Sequence, residues 1–135
     1  DGRKARRWYR TGDLVEMDEA GDLVFRGRAD NQVKIRGQRI ELEALDTTIR
    51  QLDGVAEVAT VVLADDAGER GVVAMIQLED DATVSLREVQ RHVATRHPRV
   101  AVPVEVVTLD GLERTGTGKV DRNAARVRLQ TRRRR

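Results

Sequence analysis

Two runs of β-branched and aliphatic residues constrain this chain more than anything else in it. Val55 to Leu63 (VAEVATVVL) and Val72 to Leu78 (VVAMIQL) each read as a strand, and only the polar segment ADDAGERG separates them. So short a connection cannot make a parallel crossover, and the two strands are expected to pair antiparallel. Aromatic residues are 2% of the sequence against 39% hydrophobic, so the core must be built from Val, Leu, Ile and Ala.

The period changes on either side of this pair. Leu42, Leu45, Ile49 and Leu52 recur at helical spacing, and Asp53-Gly54 closes that helix. Ser85 and Glu88 form a capping box for a second helix, with Leu86, Val89 and Val93 inward and a stop before Pro98. Val104 to Val107 reads as a third strand, followed by a loop and a basic, helix-prone end. Upstream, Leu14 to Met17 and Leu23 to Arg26 alternate in polarity around a turn at Gly21-Asp22, which marks a hairpin. A second extended pair surrounds Gly37, with Val33, Ile35 and Ile40 as its apolar positions, and the polar stretch GRADNQ lies between the two. The expected class is α+β: an N-terminal β-hairpin segment, then a small subdomain with a three-stranded, mainly antiparallel sheet packed against helices.

Several function classes are excluded or disfavoured. There is no cysteine, so disulfides, thiolate catalysis and cysteine-based zinc sites are ruled out, and a reducing cytoplasm is permitted. His92 and His97 are spaced by five and do not share a helix face, so no metal site is expected. No apolar run approaches the roughly 18 residues that span a membrane, and no leader pattern opens the chain. The chain begins at Asp1 without a methionine, and is read as a piece of something longer. The formal charge is +2, yet residues 122–135 hold seven arginines and no acid, so the preceding body is acidic on balance. A terminal arginine run reads as a solvated, disordered tail, and scarce aromatics argue against specific nucleic-acid binding.

Three stretches could carry chemistry. RTGTGKVDRN, Arg114 to Asn123, is not a phosphate-binding loop. Glu113 stands where the first glycine belongs, and Val120 replaces the magnesium-binding hydroxyl. Its glycines could still act as a mobile tether that delivers Lys119, a compact point charge suited to a carboxylate or phosphate; the plain alternative is a surface lysine in a turn. Asp13 in YRTGDL could meet ribose hydroxyls or merely cap a turn. Arg28, Lys34, Arg36 and Arg39 could line an anionic site or form a solvated strand face.

In order and spacing, the pieces closely resemble the C-terminal part of adenylate-forming enzymes. WYRTGDLVEMDEAGDLVFRGRADNQVKIRGQRIELEALD, followed later by TGTGKVDRNA, looks most like the adenylation domains of nonribosomal peptide synthetases. Acyl-CoA synthetases have a looser version of this segment. The resemblance implies ATP- and Mg2+-dependent formation of an acyl-adenylate from a small carboxylic or amino acid. Transfer of the acyl group to the phosphopantetheine of a carrier protein would follow. It implies that Lys119 is catalytic, that Asp13, Phe25 and Arg28 meet the nucleotide, that Asp30 is the hinge, and that Lys34 serves the thioester-forming state. It further implies a division into residues 1–29, the end of the large subdomain, residues 30–125, a mobile C-terminal lid, and residues 126–135, a disordered basic tail. The phosphate-holding loop and substrate pocket would belong to an N-terminal subdomain, a required partner, so the chain alone is not expected to be active. A cytoplasmic location, with no membrane or specific nucleic-acid partner, goes with that role. Departures from the family pattern are Ala44 in place of a frequent glutamate and Thr117 in place of the usual asparagine before Gly118. A stand-alone module that docks a carrier protein, an acyl-CoA synthetase C-terminal domain and a basic-tailed nucleic-acid binder are the alternatives.

Overall fold

A computed structural model describes residues 13–17, 19–21, 23–28 and 31–134. Strands β1 (Asp13–Met17) and β2 (Leu23–Arg28) pair antiparallel, with a bulge between Leu14 and Val15. Strands β3 (Gln32–Ile35) and β4 (Gln38–Glu41) form a second hairpin, closed by Arg36 and Gly37 at φ 50° and 78°. A two-residue turn with both centres left-handed matches the twist of the flanking strands, which is why Gly37 stands there. The non-glycine Arg36 accepts the less favourable conformation and pairs with Glu69 at 2.8 Å.

The main sheet has β5 (Val55–Ala64), β6 (Arg70–Leu78) and β7 (Glu105–Leu109) in that order. β5 and β6 pair antiparallel as their short connection requires, but β6 and β7 run parallel. The sheet is therefore mixed, with the longer of its two pairings antiparallel. Residues 79–104, which include helix α2 (Leu86–Ala94), supply the long crossover that a parallel neighbour needs.

Both faces of this sheet are covered, which explains why its strands read as nearly unbroken apolar runs. Val58, Val72, Ala74 and Ile76 face helix α1 (Leu42–Arg50) and α2, packing with Leu42, Leu45, Ile49, Val89 and Val93. Ile35 and Ile40 bring the second hairpin into the same cluster. The alternate residues Ala59, Val61, Val73 and Met75 face helix α3 (Arg122–Arg133) through Ala125 and Leu129. Side chains alternate across a strand, so one sheet serves two cores.

The arginine-rich end differs from the disordered tail that its composition suggests, because residues 126–133 continue α3. Ala125 and Leu129, one helical turn apart, are buried against the sheet. Several arginines dock the helix: Arg128 donates to the Gly111 carbonyl at 2.7 Å, and Arg133 pairs with Glu105. Among the described residues no helix is long and apolar enough to cross a membrane.

Candidate functional site

β5 lies at the edge of the sheet, so half of its backbone groups lack a strand partner. An exposed edge of this kind invites unwanted pairing and is usually covered. Here the cover is made by α1 and by the segment that carries Lys119. The Thr60 N–H donates to Asp46 Oδ1 at 2.8 Å, and the Thr60 carbonyl accepts from Arg122 Nη1 at 2.6 Å. Arg122 Nη2 meets Asp46 Oδ2 at 2.7 Å, and the Thr60 hydroxyl donates to Asp46 Oδ1 at 2.7 Å. Asp46 is buried in α1, so its charge is matched by a planar guanidinium and two further donors.

A second ionic group lies further along the same edge. Glu57 receives Arg50 Nε at 2.8 Å, Arg114 Nη2 at 3.0 Å and the Val58 N–H at 3.1 Å. Burial pushes the Glu57 carboxyl up, but the hydrogen bonds from Arg50 and Val58, the Arg50 charge and the Arg114 bond outweigh it. The net result is a pKa below the ordinary carboxylate range.

Lys119 is carried between these two groups. Arg114 and Val120 face each other in an antiparallel bridge. The Thr115 N–H donates to the Lys119 carbonyl at 2.7 Å, and the Gly118 N–H to the Thr115 carbonyl at 2.9 Å. Gly118 has φ 85°, whereas Gly116 is not left-handed. Only the second glycine is required by the turn. The loop is thus a closed hairpin, not the open tether that two glycines suggest. Beyond it, Asp121 caps α3 by accepting from the Ala124 N–H at 3.0 Å.

The hairpin, α1 and the start of α3 enclose a cleft of about 660 Å³. Lys119 lines it with a side chain 76% exposed, its Nζ 3.6 Å from Glu43 Oε1. Ala44 also lines this cleft, so the missing glutamate leaves one charge fewer beside Lys119. Lys34, Arg36 and Arg39 are exposed and line no part of it. Asp13, Phe25 and Arg28 lie on β1 and β2, where the backbone alone is described. Asp30 falls outside the described residues. Among the described residues no group of three or more His, Asp or Glu is arranged to hold a metal ion. Asp46 and Glu57, the two carboxylates on the β5 edge, are already taken by arginines. An exposed ammonium at the mouth of the cleft does suit the anionic end of a nucleotide or a carboxylate.

The sequence model of the AMP-binding enzyme C-terminal domain family matches residues 44–119. The chain belongs to this family. The family match therefore ends on Lys119 and begins in α1. The chain is 40% identical over 118 residues to tyrocidine synthase 3 of Brevibacillus parabrevis, covering 87% of the chain and 2% of that protein. It is 37% identical over 123 residues to a dimodular nonribosomal peptide synthase of Bacillus subtilis, covering 91% of the chain and 5% of that protein. Among solved structures, ATP-bound MatB from Rhodopseudomonas palustris superposes with a TM-score of 0.67 at 26% identity, over 87% of the chain and 24% of MatB. This member of the family is accordingly most like the adenylation domains of nonribosomal peptide synthetases, and it spans a small part of each relative's length.

The residues that hold the hairpin, Asp46, Glu57, Thr60, Arg114 and Arg122, do not stand out as functional in the linear sequence. One signal was available. Asp46 falls on the apolar stripe of α1 beside Leu42, Leu45 and Ile49, and a carboxylate there requires a buried partner.

Proposed function

We propose that this chain is the C-terminal part of an amino-acid or related carboxylic-acid adenylation domain in a peptide synthetase, with Lys119 as its catalytic residue. The observation that carries the reading is an exposed ammonium held on a hydrogen-bonded hairpin whose base is buried. In the first half-reaction a substrate carboxylate oxygen attacks the α-phosphate of ATP, a new P–O bond forms, and pyrophosphate leaves. Negative charge gathers on the attacked phosphate and on the approaching carboxylate. Lys119 stabilises both as a point charge and transfers no proton. Mg2+, when bound, neutralises phosphate charge; its ligands are assigned to the N-terminal subdomain. Phosphopantetheine on a carrier protein supplies the thiol that takes the acyl group in the second half-reaction, with release of AMP.

In this reading residues 1–29 close the large subdomain, with Asp13 on the ribose and Phe25 and Arg28 near the nucleotide. Asp30 is the hinge, and residues 30–125 form the lid. Lys34 lies outside the Lys119 cleft, which supports a separate role for it in the thioester-forming state. A lid that swings can withdraw one cation and present another face to the same substrate. The work takes place in the cytoplasm.

The test joins the chain to an N-terminal adenylation subdomain and follows substrate-dependent pyrophosphate exchange. Lys119→Ala is expected to slow exchange by about 10²–10³-fold without changing the fold. Lys34→Ala is expected to spare exchange and slow transfer to the carrier. Exchange by Lys119→Ala within twofold of wild type would overturn the assignment.

A further inference from the structure

One guanidinium connects the Lys119 loop to the body of the protein. Arg114 Nη1 donates to the Gly118 carbonyl at 2.8 Å, and its Nη2 donates to Glu57 Oε2 at 3.0 Å. The Gly118 carbonyl belongs to the peptide bond that begins Lys119, so this contact acts on the backbone from which the ammonium projects. Glu57 is mostly buried on the edge strand β5, and Arg50 of α1 holds its other oxygen at 2.7 Å. The series Arg50, Glu57, Arg114, Gly118 therefore runs from a packed helix through a rigid strand to the loop tip. The Arg122 and Asp46 pair secures only the far end, where α3 begins.

We propose that Arg114 is a positioning residue for Lys119, acting through the Gly118 carbonyl and held in place by Glu57 and Arg50. This rests on the reading of Lys119 as the residue that acts in adenylation. The fork of a guanidinium matters, because two separate nitrogens serve two acceptors at once. A lysine at 114 could reach the carboxylate as a point charge but could not keep both bonds in fixed geometry. Without Arg114 the turn keeps its two backbone bonds, but its direction relative to β5 is no longer set. Misplacement of a catalytic group by about 1 Å can lower a rate by about 10²-fold.

Arg114→Ala, Arg114→Lys and Glu57→Gln are made in the full 135-residue chain and in the joined adenylation domain. In the chain, NMR order parameters of the Gly116, Thr117, Gly118 and Lys119 amides are measured. They are expected to fall from about 0.8 toward about 0.6 in Arg114→Ala and Glu57→Gln, and by less in Arg114→Lys. Amides of β5 and α1 should keep their values, which shows that the fold is intact. In the joined enzyme, kcat for adenylation is expected to fall about 10-fold or more in Arg114→Ala, with the KM for ATP within twofold. Transfer from preformed adenylate to the carrier should be unchanged. Unaltered loop amides together with unaltered kcat in both Arg114→Ala and Glu57→Gln would overturn the proposal. A Lys119→Ala enzyme that keeps full exchange would instead overturn the role of Lys119, and the loop amides would still decide whether Arg114 orders the turn.

Discussion

The base and the tip of the Lys119 hairpin are built from the same chemistry with opposite results. At the base, Asp46 and Arg122 approach to 2.7 Å with side chains 7% and 17% exposed, and Thr60 satisfies what remains of the carboxylate. At the tip, Lys119 and Glu43 are 3.6 Å apart with side chains 76% and 60% exposed. The buried pair is rigid because leaving either partner alone in a low-dielectric setting is costly. The exposed pair is weak because water screens it and both side chains keep their rotamer freedom. The role proposed for Lys119 would use both properties in sequence: a firmly held root, and a head group free to change partners.

The base is the more sensitive half. Asp46→Ala leaves the Arg122 guanidinium desolvated without a carboxylate and the Thr60 N–H without its acceptor. A loss of about 3–5 kcal/mol is expected in urea unfolding. That is a large share of the roughly 5–15 kcal/mol that holds a domain folded. The double variant Asp46→Leu/Arg122→Met should recover only part of it, since no charge is left behind but the Thr60 N–H and carbonyl still lose their partners. Stability of Asp46→Ala equal to wild type would remove the distinction between base and tip.

The turn between them offers a finer test. Gly118 is left-handed at φ 85°, and an added Cβ would meet no neighbouring atom, so backbone conformation is what requires glycine there. Gly118→Ala is expected to cost about 1–2 kcal/mol in the same unfolding assay. Gly116→Ala, at a position that is not left-handed, should stay within about 0.5 kcal/mol. Equal costs at the two glycines would contradict the closed-hairpin geometry.

The smallest effect concerns pH. Burial lowers the pKa of His97 from 6.5, with the Arg96 charge adding to it, and His97 Nε2 lies 2.8 Å from Thr48 Oγ1 of α1. Its neutral form is the one the fold prefers. The folded state binds fewer protons than the unfolded state below pH 6.5, so stability from this group is complete above 6.5. It is lost as pH falls from there through the folded value. Glu57, also lowered, is complete above 4.5 and is lost at more acid pH, so the two windows separate. The urea midpoint should drop slightly between about pH 7.5 and about pH 5.5 in the wild type and stay flat in His97→Gln. A slope that persists in His97→Gln would assign the effect to another group.

Local patterns made much of the molecule legible. The period-2 and helical runs that mark β5, β6, α1 and α2 depend on neighbours in the chain. The Ser85 cap is a short-range bond, observed at 3.1 Å from the Glu88 N–H. The role proposed for Lys119 was suggested by the order of motifs around it. The parallel placement of β7 was less so, because a crossover of the length of residues 79–104 permits either edge and either direction. The extent of α3 was hidden by its arginines. Charge suggested solvent and disorder, while two apolar residues one turn apart and the arginines' own partners across the fold dock it.

By itself, the sequence determined most of the strands and helices, and that one lysine would follow a loop punctuated by two glycines. Those outcomes depend on backbone conformation and on burial of a stripe or a face, both written in local residue order. The tertiary structure alone decided what holds that turn. Asp46, Glu57, Thr60, Arg114 and Arg122 are up to 76 residues apart and meet only because β5 is an edge strand whose unpaired backbone groups need cover. Long-range partners of a charge follow from which edge is left open, and that is settled only when the sheet forms.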